Sequence, residues 1–450
     1  MSCRAIALLW LWLLSTSAIP AAAPLAPPVP PGAQASPFFN AQTATDAWLA
    51  TVPPAARKRS DAYFEGGYWL LLWDFLYTAA ALLLLLQTRW SVRTRTWAER
   101  LTRFSWLQAY LYWIQFVCSM TLLLFPLTVY EGFIREHSYG LSNQTWLQWL
   151  RDQAVGFLLA LFLGGVVVAT LLVLVKRLPN SWQLWCTALA LAFTIIGVAI
   201  APVYLMPLFN RYTPLPDSAV KRQILSLAHA NGIPARDVYE ADESRQSKRV
   251  SANVSGLFGT DRITLNDNLL ARCSPEAVVA VLGHEMGHYV MHHVLNGVLF
   301  SAIVLFCLFS AARRGVIFGV TKWSTRWGVR DTGDFALLPW IALLLLAMNF
   351  VLTPVNNTFT RTQEYEADIF GLNAARQPDG EAEVDLLLGE YRKLSPSPLE
   401  EFIFFDHPSG RTRIYAAMRW KAENLELRNL HLNPARSPNG PSGPLAARPR

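Results

Sequence analysis

Six apolar stretches, each about long enough to cross a bilayer, constrain this chain more than anything else in it. They run over 68–86, 106–130, 154–175, 182–206, 294–312 and 335–355. A helix rises about 1.5 Å per residue, so crossing some 30 Å of hydrocarbon takes roughly 20 apolar residues. Inside lipid each backbone N–H and C=O must be satisfied within its own segment, so these stretches are expected to be α-helices. The expected fold class is therefore mainly α: a polytopic membrane protein of six to seven spans with a small β element. Composition agrees. Only 16% of the 450 residues are charged and 52% are hydrophobic, whereas soluble domains carry about a quarter charged. The net charge of +7 reads as basic loops beside a bilayer, and no nucleic-acid partner is expected. Asp74 interrupts the first stretch. An ionisable group there is costly against lipid, so it faces a polar interior or sits near the interface. The five cysteines include no C-x-x-C pair, which gives no disulfide framework or thiolate metal site.

The ends and the loops set an order along the chain. Residues 1–23 combine Arg4, a short apolar core and a small-residue ending at Ala21-Ala22-Ala23. That is a signal-peptide pattern; the rival is a first membrane helix, for which the core is short. Residues 24–67 read as an extracytoplasmic segment, Pro/Ala-rich and disordered from Pro24 to Pro37. Residues 68–206 form a four-helix membrane region. Residues 207–293 and 356–433 are two polar halves of one domain, split by a membrane hairpin at 294–355. Residues 434–450 are a low-complexity, disordered tail. Twelve Lys or Arg lie in the alternate loops 87–105, 176–181 and 313–334, against Arg135 and Arg151 in loop 131–153. The positive-inside rule puts the basic loops in the cytoplasm and both polar halves outside. The expected location is a bacterial inner membrane with the polar domain on its extracytoplasmic face.

The polar halves carry the chemistry. In "VLGHEMGHYVMHH" (281–293), His284 and His288 are four apart and so share one face of a helix. Ser274, Pro275 and Glu276 open that helix as cap, first-turn proline and dipole-matched acid. Two imidazoles one turn apart can share a zinc ion, and Glu285 beside the first can act as base on a water: this is H-E-x-x-H. His292 and His293 are less informative. Met291 and Val294 stand where a metzincin needs Gly and a third His, so that subclass is excluded, and His292 reads as an interfacial side chain. A catalytic zinc needs three protein ligands and one open position. The best third ligand lies in "NTFTRTQEYEADIFGLNAA" (357–375), where Glu364 and Asp368 are four apart. Glu364 could bind zinc and Asp368 could hydrogen-bond a ligand histidine; Glu366 also lies there, and the alternative is an acidic solvated face. Hydrolysis of a peptide or protein substrate is the leading reading. The rival is a non-catalytic lipid- or peptide-binding chamber with zinc as a staple, but such sites are closed by four ligands and give Glu285 no purpose.

The motifs resemble the membrane-embedded zinc metalloproteases (gluzincins) of the CAAX prenyl endopeptidase type. "HEMGH", two spans and then "RTQEYEAD" follow that family's order. "EHSYGLSNQT" (136–145), "DRITLNDNLL" (261–270) and "HPSGRTRI" (407–414) resemble its loop, strand and late His-Pro motifs, over roughly residues 68–420. The resemblance implies that His284, His288 and Glu364 bind zinc, that Glu285 is the general base, and that Asp368 orients a ligand histidine. His407 resembles the histidine that stabilises the oxyanion, Arg413 the arginine supporting the site, and Asn253 the asparagine of the substrate-holding strand. The implied fold is a ring of seven helices around a water-filled chamber. Three features differ: the segment after Asn253 is about two residues shorter, the signal-like N-terminus takes the place of the first helix, and the charge pattern puts the zinc domain outside. Heat-shock membrane proteases share the zinc motif, so quality-control proteolysis is an alternative.

Overall fold

A computed structural model describes residues 28–255 and 262–432. The signal-like segment 1–23 and the tail 434–450 lie outside the described residues. Helix α1 (Ala41–Ala50) precedes the first membrane helix, α2 (Pro54–Gln87). Where the loop 87–105 was expected, a helix, α3 (Trp90–Leu101), runs instead. Then come α4 (Ser105–Ser138), α5 (Trp146–Arg177) and α6 (Trp182–Leu208), each widened by one π turn. With α2 these are the four helices of the membrane region long and apolar enough to cross. Asp74 faces Glu131 of α4. Both line a recess of about 830 Å³ between α2, α4, α5 and residues 246–249, which is the polar-interior alternative.

The first polar half is built on a four-stranded sheet of order β1-β2-β4-β3. Strands β1 (Tyr212–Pro214) and β2 (Val238–Ala241) are antiparallel, β2 and β4 (Arg262–Asn266) parallel, and β3 (Ala252–Ser255) lies antiparallel to β4 at the edge. Side chains alternate between the two faces of a strand. Ile263 and Leu265 therefore point one way, into a core with Ile224 of α7 (Ala219–Ala230) and Leu282 and Met286 of the H-E-x-x-H helix. Arg262 and Thr264 point the other way.

After α8 (Asp267–Arg272), the H-E-x-x-H helix α9 (Pro275–Val290) starts as its sequence predicts: Ser274 Oγ accepts from the Ala277 N–H, with Pro275 in the first turn. Glu383 adds a second hold, accepting from Ser274 N–H at 2.8 Å and Oγ at 2.6 Å. The chain leaves α9 through His292 in a left-handed conformation (φ 57°) and enters α10 (His293–Trp327). Helix α10 runs fifteen residues beyond the apolar stretch, so most of the expected loop 313–334 is helical. The last spanning helix, α11 (Phe335–Ala375), has 41 residues and a length of roughly 60 Å. It carries both a membrane span and the acidic run 364–368 on one rod. Helices α12 (Pro378–Leu388), α13 (Pro398–Phe404) and α14 (Gly410–Leu432) complete the second half. Among the described residues six helices, rather than seven, can span.

One departure from expectation and one close helix contact have packing causes. The stretch expected to be disordered up to Pro37 is ordered from residue 28: Pro31–Ala33 is a 3-10 turn, and fully buried Ala33 packs with Trp48 of α1 and Ile414 and Met418 of α14. Proline fixes φ at little cost here, and a partner helix supplies the burial that composition alone does not reveal. The second is how closely α9 and α11 approach. A Cβ on Gly371 would sit 2.7 Å from His284 N, one on Gly283 2.9 Å from Ala375 Cβ, and one on Gly287 3.0 Å from Ala367 Cα. Gly371→Ala is expected to push the helices apart and cost about 1–3 kcal/mol. Gly197→Ala in α6, where nothing lies within 4 Å, should be neutral or slightly stabilising. Thermal unfolding in detergent compares the two; equal melting temperatures would refute the close contact.

Candidate active site

The glycine-lined contact sets two chemical ladders face to face. From α9, His284 and His288 turn their Nε2 atoms toward each other at 3.1 Å. From α11, Glu364 meets both, Oε2 at 3.3 Å from His284 Nε2 and Oε1 at 3.5 Å from His288 Nε2. Ligand atoms of these three residues all lie within 4.8 Å of one another, a spacing that fits one metal ion. His407, just before α14, brings its Nε2 to 3.2 Å from Glu364 Oε2. Its Nδ1 is 2.8 Å from Asp406. Glu285 opens into the same cleft of about 200 Å³, lined also by Ser251, Ala252, Tyr391 and Arg392. Burial pushes the Glu285 carboxyl up, against the pull of His284 and His288.

The outer nitrogens of both histidines are held. Asp368 Oδ1 lies 2.8 Å from His284 Nδ1. On the other side His293 Nδ1 lies 2.9 Å from His288 Nδ1, and His293 Nε2 lies 3.3 Å from Glu366. His288 donating from Nδ1 and His293 from Nε2 is a consistent proton order that leaves His288 Nε2 free for a metal, the tautomer control typical of ligand histidines. Sequence reasoning passed over His293. Its side chain reaches back because His292 adopts the left-handed conformation, which reverses the path of the chain between α9 and α10. A histidine directly after a helix-ending residue was the available signal.

Arg413 lies behind Asp368, buried among three carboxyls. It reaches Asp368 at 2.6 Å, Glu381 at 3.1 Å and Asp385 at 3.1 Å. Burial opposes the charge of Arg413, and the carboxyls more than restore it. One guanidinium cannot neutralise three carboxylates, and burial pushes Glu381 up and Asp385 well up. Sequence reasoning named Arg413 and Asp368 but neither Glu381 nor Asp385 of α12.

The structure does not bring Asn253 to the cleft. Its side chain is exposed on the far face of β3, paired with Thr264 and beside Pro202 and Met206 of α6. Its neighbours Ser251 and Ala252 line the cleft instead. A shift of one residue along a strand exchanges faces, and single-sequence matching does not fix that register.

A helical membrane fold with H-E-x-x-H set against a glutamate from a second helix defines a class, the membrane metalloendopeptidases. Residues 40–211 match the family described as CAAX prenyl protease N-terminal, five membrane helices, and residues 214–421 match Peptidase family M48. CAAX prenyl protease 1 of Saccharomyces cerevisiae is 30% identical over 314 residues, 66% of this chain and 69% of that protein. The uncharacterized metalloprotease YhfN of Bacillus subtilis is 29% identical over 334 residues, 73% of this chain and 77% of YhfN. The crystal structure of S. mikatae Ste24p shares the fold, with a TM-score of 0.68 at 24% identity over 82% of this chain and 89% of that one. The chain belongs to the M48 peptidases of the CAAX prenyl protease type, and a metal cofactor goes with that family.

The charge balance around Arg413 gives a test. A raised folded pKa means that the stabilisation from protonated Asp385 is full below its ordinary value of 3.8 and is lost as pH rises through the folded value. Asp385→Asn, which removes the titrating carboxyl and keeps its shape, should therefore flatten the loss of stability as pH rises. Asp368→Asn, which weakens the hold on both His284 and Arg413, should be strongly destabilising. Unfolding followed across pH separates them; similar losses for both would refute the assignment.

Proposed function

We propose that this chain hydrolyses peptide bonds of membrane-anchored or secreted polypeptides, with a zinc ion held by His284, His288 and Glu364. The convergence of those three side chains on one point, with both histidines' outer nitrogens engaged, supports the reading most directly. Two nitrogens and a carboxylate oxygen suit zinc, and three ligands leave a position open. When bound, zinc acts as a Lewis acid on the scissile carbonyl and lowers the pKa of water. Glu285 takes a proton from the attacking water and passes it to the leaving amine; its burial suits a base that must also act as an acid. His407 donates from Nε2 to the developing oxyanion, a role worth on the order of 3 kcal/mol in comparable sites. Asp368 and Arg413 hold His284, and His293 with Glu366 holds His288. The free edge of β3 offers its backbone to an extended substrate. In this reading 207–293 and 356–433 are the two halves of one protease domain, and quality-control proteolysis is the alternative to a defined processing event.

Metal content separates the roles. Glu364→Ala and His288→Ala are expected to lose bound zinc alike. His293→Ala should weaken zinc binding about 10- to 100-fold. Glu285→Gln should keep zinc and lose peptide cleavage. Elemental analysis with a peptide-release assay checks this; full zinc in Glu364→Ala would shift the third ligand to Glu366 or Asp368.

We also propose that the zinc domain faces away from the cytoplasm, as the loop charges imply. Cysteine introduced at Ser397 should react with a membrane-impermeant reagent on intact cells, and cysteine at Arg93 only after lysis. The reverse pattern would overturn the orientation and favour a cytosolic, prenylated substrate of the kind named for the yeast relative.

A further inference from the structure

Helix α12 ends at Leu388 and α13 begins at Pro398. The loop between them forms one wall of the cleft that holds Glu285, and it brings Tyr391 and Arg392 there. That loop is tied down on both sides of Arg392. Glu390 pairs with Arg272 at 2.5 Å. The Arg249 guanidinium lies over the Tyr391 ring, 5.2 Å from its centroid. Lys393 Nζ pairs with Glu65 at 2.7 Å and with Glu400 at 2.8 Å. Leu394 is buried in the same core as Ile414 of α14. The two residues before Arg392 and the two after it each have a partner, which fixes the stem of its side chain.

Arg392 itself is unpaired. It is half-buried, and among the described residues its guanidinium has no hydrogen bond and no ion pair. The other charged groups of the cleft are committed. Glu364 meets His284 and His288, His407 lies between Glu364 and Asp406, and Arg413 is enclosed by acids. Much of the remaining wall is apolar, with Leu269, Val281, Val384 and Leu388. A guanidinium drawn partly out of water without a counter-charge is costly. An incoming carboxylate finds no other unpaired basic side chain there among the described residues.

Ser251 and Ala252, at the start of β3, also line the cleft. A substrate strand laid along that edge turns alternate side chains to the same side. Guanidinium matches a carboxylate through two parallel N–H donors, and a group held in place before binding loses less freedom when it is engaged. We propose, on the proteolytic reading of this cleft, that Arg392 binds a substrate carboxylate close to the scissile bond and so sets the specificity of the enzyme. The carboxylate is that of an Asp or Glu side chain or of a chain end.

The test gives the full zinc-loaded chain in detergent a randomised library of N-acetylated, C-amidated peptides, with the cuts read by mass spectrometry. Asp and Glu should be enriched at one fixed position beside the cut. Matched peptides with Glu or Gln at that position should differ about tenfold in kcat/KM, the size of a charge-assisted contact at a half-buried site, with most of the difference in KM. Arg392→Gln should erase that ratio, and Arg392→Glu should turn the preference toward Lys. The same library with free C-termini separates the two sources: acidic enrichment assigns a side chain, and Arg392-dependent cuts gathered near the end of the peptide assign the terminus. A wild type with neither preference overturns the role of Arg392 and leaves proteolysis standing. So does Arg392→Gln that keeps the wild-type preference, including where all rates fall together, which would make Arg392 a support for the neighbouring Asp406 and His407. A wild type that cuts no peptide beyond the background of Glu285→Gln overturns proteolysis and the role of Arg392 together.

Discussion

The approach of α9 to α11 is the constraint on which the rest of the structure depends. Each half of the site is local to one helix, and neither half does anything alone. Gly283, Gly287 and Gly371 let the two backbones come close enough for Glu364 to meet His284 and His288. The helices are separated in sequence by α10 and the first part of α11, which lie in the membrane. The hairpin that interrupts the protease domain is thus what returns the chain to the place where the contact forms. Because α11 is one rod, the depth of its span and the position of Glu364 are mechanically linked.

Behind that contact the structure keeps charge buried, and it does so by pairing. Desolvating one ion costs several kcal/mol unless a partner compensates. Arg413 lies among Asp368, Glu381 and Asp385, while Glu383 caps α9 and Asp379 holds Lys421 of α14. Helix α12 therefore places nearly every acid on a named partner in another helix. The same pattern appears at the far membrane surface, where Arg95, Asp334, Glu99 and Arg330 join the start of α11 to α3.

The join between membrane and protease domain is also polar. Arg249 donates to Tyr63 Oη and Glu136 at 2.8 Å each, and Tyr63 donates to Glu136 at 2.5 Å. This ties α2 and α4 to the segment leading into β3. The loop that resembled a family motif, 136–145, bridges to Ser247 and ends in a capping box at Thr145 and Gln148. The edge strand beside the cleft is held by the membrane helices as well as by its own sheet.

Properties that depend on neighbours in sequence were legible without the fold. Length and apolarity gave the six spans. Four-residue spacing gave His284 with His288 and Glu364 with Asp368, because a helix turn puts such pairs on one face whatever lies around them. Ser274 as a cap is local for the same reason. What needed the tertiary structure was each feature decided by a distant partner. Residues 28–37 pack because α14 covers them, and the loop 87–105 is a helix because Arg95 and Ser91 meet the start of α11. Asn253 faces away from the cleft because pairing with β4 fixes the register, and His293 reaches His288 because the chain turns at His292. Local periodicity carries no information about which surfaces meet. That is settled by burial and by charge pairing between segments far apart in the chain, and only the folded molecule brings those segments together.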